Sequence, residues 1–383
     1  MNILFVASSS DWHIDLWVKY FTKSHNVYLF SDQERHLNKQ QFNNVTIIEY
    51  EGYLGKLLNY FKINSHSFFQ INKFISSRYF ASAIDSTIKK FDIDIVHAHS
   101  LYYGYLSSYI RSEVPIVFTP MGSDVIIHAQ KSFIYRYMAK KAFKRAYIVT
   151  GDSFLLQKCG YQVGASRTRN YVIQNGVDSS VFFPKPNQLK STYKVAFNET
   201  LLFSPRAIVP LYNIDIIIEA IFELKKCGYR VKCMFAFAFG NEYSNLLKNK
   251  IKALELDNDI IWLGFLSYKE MAAHYNAADI VLSVPSSDSS PKSVYEAMFC
   301  KKPVIVSDLE WSYELLANSR CLKRVKVSDS FHLSETIKDL IDSSEKRNEM
   351  SLNALNQASK EFDYEKNMKK MEKIMLKAVE GNL

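Results

Sequence analysis

Short apolar runs alternate with helically spaced segments along the whole chain, and this rhythm predicts the architecture. Residues 2–7 (NILFVA) form an uncharged apolar run, the pattern of a parallel strand buried on both faces. Residues 15–21 then carry helical spacing through Leu16, Trp17 and Tyr20. Further strands are predicted at 27–30, 45–50, 93–98, 116–119 and 147–150, with helical segments between most of them. The second half repeats the pattern. Strands are expected at 201–204, 231–239, 260–263, 280–284 and 303–307, and helices at 215–226, 268–276 and 291–300. Such a βαβ rhythm implies parallel sheets with helices on both faces. The reading is α/β, with two doubly wound Rossmann-like domains in series. The stretch QNGVDSSVFFPKPNQ (174–188) carries the turn residues of a join. We therefore expect a first domain at 1–178, a second at 179–361 and a C-terminal amphipathic helix from 362 to 383.

Composition adds less than the distribution of charge. The chain has 383 residues and a formal net charge of +9. Residues 1–185 hold 21 basic against 13 acidic side chains, so the first half carries nearly all of the excess. Basic and aromatic residues interleave at 61–80 and in KSFIYRYMAKKAFKR (131–145). The second stretch reads either as a helix lying on an anionic membrane or as a packed helix with a solvated basic face. No run is apolar enough for a transmembrane helix, and the N-terminus lacks the features of a signal peptide. Five scattered cysteines match no metal or redox spacing and read as reduced thiols, which places the protein in the cytoplasm. The basic residues match no nucleic-acid recognition motif.

Chemistry concentrates in SVPSSDSSPKSVYEAMFCKKPVIVSD (283–308), read as strand, loop, helix, strand. Ser290 suits a helix cap and Pro291 the first helical position. The amides of Lys292 and Ser293 then face an anion, with the Lys292 ammonium adding charge. Glu296, about one turn further in, can accept hydrogen bonds from a ribose diol, and Asp288 and Ser289 lie in the preceding loop. The alternative reading is a capped helix with incidental acids.

Several ordered stretches resemble glycosyltransferase family 4. They are ILFVASSSDWHIDLWVKYF (3–21), DIVHAHS (94–100), TPMGSDV (119–125), NGVDSSVFFP (175–184) and GFLSYKEMAAHYNAADIVLSVPS (264–286). The acidic pair follows, with Asp288, seven residues, then Glu296-Ala297-Met298. The resemblance implies a GT-B fold, in which two such domains face a central cleft. It also implies a retaining, metal-independent transfer from a nucleotide-sugar donor in the second domain to an acceptor in the first. By position, Glu296 would bind the donor ribose, Asp288 would contact the donor sugar and Arg206 would neutralise the phosphates. A fixed guanidinium suits the charge that a departing nucleotide accumulates. Phe265 would line the nucleobase pocket unless it packs in the core. His13, His99, Gly122, Ser123 and Asp124 are candidates for the acceptor, and His128 for the donor sugar. Of His97 and His99, one is expected to pack and the other to face the cleft.

The pattern departs from that family in three places. Ser8-Ser9-Ser10-Asp11-Trp12 replaces a glycine-rich loop, Pro210-Leu211-Tyr212 stands where a lysine is usual, and Asp288 replaces a glutamate. A UDP-sugar is the expected donor and a CMP-sugar the alternative. The acceptor is expected to be a glycan or lipid-linked molecule of surface polysaccharide assembly (lipopolysaccharide or capsule). A nucleotide-sugar epimerase and an inactive scaffold of the same fold are the rival readings.

Overall fold

The computed structural model describes residues 1–8, 12–31, 45–49, 66–236, 242–314 and 319–383. They divide into two compact units, Met1–Asn175 with Glu365–Leu383, and Gly176–Tyr364. The ends of the strands expected at 45–50 and 231–239, most of the loop at 8–12 and part of the stretch at 61–80 fall outside the described residues.

The first unit holds seven parallel strands: β1 (Asn2–Val6), β2 (Asn26–Ser31), β3 (Val45–Glu49), β4 (Ile95–His99), β5 (Ile116–Thr119), β6 (Ile148–Gly151) and β7 (Asn170–Val172). Their order is β3-β2-β1-β4-β5-β6-β7. The second unit holds β8 (Thr200–Ser204), β9 (Val231–Phe235), β10 (Ile260–Trp262), β11 (Ile280–Ser283), β12 (Val304–Ser307) and β13 (Lys323–Val325), ordered β10-β9-β8-β11-β12-β13. Each unit is thus a doubly wound, Rossmann-like sheet. In each, the chain winds outward from one central strand, then returns to start again beside it. That reversal leaves a crevice beyond the carboxyl ends of β1 and β4, and another beyond β8 and β11.

The period of two along the strands explains why runs without polar residues form these sheets. Leu201, Phe203, Met234 and Val281 pack into one core. Their neighbours Leu202, Cys233, Phe235, Ile280 and Leu282 pack into another, on the opposite face. Two edge strands, β7 and β13, were not expected from the sequence. Each has three residues and only partial burial, so neither shows an apolar run. The helix at Tyr364–Val379 opens within the second unit but belongs almost wholly to the first. Met368, Met371 and Met375 are fully buried on one face of it.

Candidate functional site

The second unit gathers its charged side chains at its strand-order reversal. Arg206 lies two residues beyond β8, and Asp288 lies in the loop beyond β11. Arg206 Nη2 donates to Asp288 Oδ2 at 2.8 Å and Nη1 to Ser293 Oγ at 3.0 Å. Both partners of this ion pair are largely buried, at 12% and 14% side-chain exposure. The guanidinium also lies over the Tyr212 ring, 4.1 Å from its centroid. Asp288 Oδ1 accepts from the Ser289 amide at 2.8 Å, which fixes the carboxylate from its other side.

The two loops are stapled together. The Ser286 amide donates to the Leu211 carbonyl and its hydroxyl to Asn213 Oδ1, while Asn213 Nδ2 donates to the Val284 carbonyl. Asn213 adopts a left-handed conformation, φ 51°, which asparagine tolerates better than most residues. Tyr212 therefore occupies the region where a second cation was missing from the sequence. It supports Arg206 through its π-face instead of adding charge.

The helix beyond this loop is Lys292–Phe299. The expected cap is corrected here. Pro291 is the N-cap residue with extended backbone, φ −73° and ψ 101°, and no side chain caps the helix. The Ser290 hydroxyl instead lies 3.3 Å from the Tyr295 hydroxyl. With a proline at the cap and no side-chain acceptor from it, the helix turns the positive end of its dipole to this loop.

Glu296 faces inward and is only 7% exposed. Tyr275 donates to its Oε2 at 3.0 Å. Burial raises its pKa to about 7, against the opposing pull of Lys292, the Tyr275 bond and Arg206. Lys292 is placed differently from the phosphate-facing role read from the sequence. Its Nζ is buried, 5.3 Å from the Tyr268 ring centroid. Burial lowers the pKa of this ammonium, while Glu296 and Asp178 act to raise it. One turn separates Lys292 from Glu296, so the cation sits on the same helical face as the carboxylate. Phe265 is 74% exposed and not core, whereas Leu266 packs partly against the core. Tyr212, Tyr268 and Tyr275 were missed as site residues. An aromatic on an amphipathic helix or turn gives the same sequence signal as a core residue.

The first unit places its candidates less uniformly. His97 and His99 stand two apart on β4 and so share one face, and both pack, whereas one was expected to face the cleft. Both are buried, with ring centroids 4.1 Å apart, against Trp17 and Phe5. His97 Nε2 and Thr119 Oγ1 share a hydrogen bond of 2.7 Å, and Thr119 continues it to Thr150. Burial and the adjacent His99 hold the His97 imidazole well below its ordinary pKa, so it is neutral.

Asp124 turns out to hold backbone. Its Oδ2 accepts from the Leu101 amide at 2.8 Å and the Met121 amide at 3.3 Å. It thereby caps the helix Ser100–Ser107, which follows β4 through Ser100 at φ 69°. Gly122 and Ser123 lead into the π-helical turn Asp124–His128, where Ser123 and His128 are exposed. The His128 ring lies 5.2 Å from that of Tyr135. His13 lies in the helix Trp12–Phe21, but its side chain is outside the described residues.

Known proteins share this fold and parts of this sequence. Residues 188–357 match the family model described as Glycosyl transferases group 1, and residues 2–153 match that of Glycosyl transferase 4-like. The alpha-monoglucosyldiacylglycerol synthase of Streptococcus pneumoniae is 23% identical over 303 residues, which are 74% of this chain. The match spans 64% of that synthase, less than two thirds of its length. HepE of Anabaena, solved in complex with UDP and glucose, superposes with a TM-score of 0.79 at 19% identity, covering 98% of this chain and 99% of its own. A glycosyltransferase of Rickettsia africae superposes with a TM-score of 0.81 at 18% identity, covering 100% and 99%.

Proposed function

We propose that this chain of GT-B fold is a glycosyltransferase that moves a sugar from a UDP-sugar to a glycan or lipid-linked acceptor, with retention of configuration. One observation carries this reading. Arg206, Asp288, Ser293 and Glu296 meet at a single strand-order reversal, although 82 residues separate the first two. A guanidinium and the amide end of Lys292–Phe299 suit a diphosphate, and the buried Glu296 carboxylate suits a ribose diol. The complex of HepE with UDP supports uridine diphosphate as the nucleotide.

In the reaction we propose, the bond between the anomeric carbon and the phosphate oxygen breaks, and the nucleotide leaves with the electron pair. The acceptor oxygen bonds to the same carbon and passes its proton to the departing phosphate. Arg206 and the helix amides stabilise the charge that develops there, so neither a metal ion nor a side-chain nucleophile has a step to perform. Asp288 holds Arg206 in place until donor phosphates compete for its donor fork. We place the acceptor beyond the carboxyl ends of β4 and β5 in the first unit, where Ser123 and His128 are exposed after β5, in surface polysaccharide assembly.

Thermal-shift titration with nucleoside mono- and diphosphates tests the donor. UDP should raise the Tm, and CMP should raise it less. Arg206→Ala and Glu296→Ala should each reduce transfer by about 10²–10³-fold. A larger shift with CMP would reassign the donor. Donor turnover without an acceptor would point to an epimerase, and near-normal transfer in both variants would reject the site.

A further inference from the structure

The helix Phe133–Arg145 buries Ala139, Ala142 and Phe143 in the first unit and turns a different chemistry outward. Phe133 is 76% exposed, Ile134 58% and Tyr137 44%, with Ile127 exposed in the preceding turn. Lys140, Lys141 and Lys144 are exposed on the same helix. Positions 133, 137, 141 and 144 fall on one stripe. The stripe therefore runs from apolar at its start to cationic at its end. Residues 125–151 contain six basic side chains and no acidic one.

The surface is also held in shape. Arg136 Nε donates to the Ala129 carbonyl at 3.2 Å and Nη2 to the Gln130 carbonyl at 3.4 Å. These bonds tie the helix to the segment Ala129–Lys131, which directly follows the turn carrying Ile127. Single exposed apolar residues are ordinary, but four of them beside a run of positive charge mark an interaction surface.

We propose that this face docks the first unit onto an anionic lipid bilayer. Phe133, Ile134 and Ile127 enter the boundary between headgroups and acyl chains, and the lysines meet the headgroup charge. Charge alone would equally suit a nucleic acid, but isoleucine offers no π-face on which a base can stack. The surface lies outside the donor site, so this inference stands or falls independently of the proposed reaction. Among the described residues no helix is long and apolar enough to cross a membrane, so docking is peripheral.

Flotation with extruded vesicles provides the test. The full chain should float with phosphatidylcholine–phosphatidylglycerol vesicles, much less with phosphatidylcholine alone, and should be released by salt. Phe133→Ser/Ile134→Ser and Lys140→Gln/Lys141→Gln/Lys144→Gln should each weaken partitioning by about tenfold or more while keeping the circular dichroism spectrum. In Phe133→Trp, the emission gained over wild type should shift to the blue on adding anionic vesicles. Should a multiple variant misfold, the salt dependence and this emission still decide. Failure to float at low salt, flotation that neither multiple variant weakens, or preferential retention on single-stranded DNA would overturn the proposal.

Discussion

Glu296 accepts from both hydroxyls of a diol most strongly when ionised, and burial places its pKa at about 7. A raised carboxyl pKa means the group is neutral below that value and anionic above it. Affinity for UDP should therefore rise as pH increases through about 7, with proton release on binding at the acidic side. Calorimetry one pH unit either side, in buffers of different ionisation enthalpy, reads both quantities. Lys292→Met removes the cation that opposes the burial effect. It should move the midpoint upward, and Glu296→Gln should abolish the pH dependence. A midpoint unmoved by Lys292→Met would mean that the buried ammonium does not act on this carboxylate. The sequence marked both residues, yet it assigned Lys292 to the phosphate. Which way a lysine points depends on what surrounds it, here the Tyr268 ring, the Glu296 carboxylate one turn along the helix and the Asp178 carboxylate from a distant segment.

At the scale of elements, the place where the two ends of the second unit's chain run together depends on a glycine. Gly176 adopts φ +75°, and a Cβ there would meet the Tyr364 Cα at 2.5 Å. The outgoing and returning passes of the chain run side by side at this point. The Val177 amide donates to the Phe362 carbonyl at 2.8 Å, and the Tyr364 amide donates to the Val177 carbonyl at 3.1 Å. Neither the conformation nor the clearance admits a side chain. Gly176→Ala should cost about 1–3 kcal/mol, measured by denaturant unfolding. A cost within error of zero would show that the two passes can part freely. The turn residues at 174–188 signalled a join, but not the isolated bridge from Val177 to Asp363, because that pairing spans nearly half the chain.

At the scale of the whole molecule, the C-terminal helix completes the first unit. Glu372 accepts from the Tyr20 hydroxyl at 2.9 Å, His25 Nε2 at 2.7 Å and Ser24 Oγ at 3.3 Å. Burial alone would raise its pKa, but the hydrogen bonds from Tyr20 and His25 outweigh that and hold it below the ordinary value. A depressed carboxyl pKa contributes stability above its unfolded value and loses it as pH falls through the folded one. Glu372→Gln should lower the Tm at neutral pH by roughly 3–8 °C. The difference from wild type should shrink under acid, and a pH-independent difference would assign the loss to packing.

Composition and periodicity by themselves determined two parallel sheets, most strand positions and the segment that carries the acidic pair. Apolar runs and turn residues are local signals, and burial on both faces leaves a plain trace in the chain. Only the tertiary structure decided which side chains cooperate. It brought Tyr212, Tyr268 and Tyr275 to the charges, paired Asp288 with Arg206, turned Asp124 to a backbone task and set the His99 ring against that of His97. Those outcomes depend on strand order and on burial by residues far away in sequence, which the spacing of neighbours along a chain does not encode.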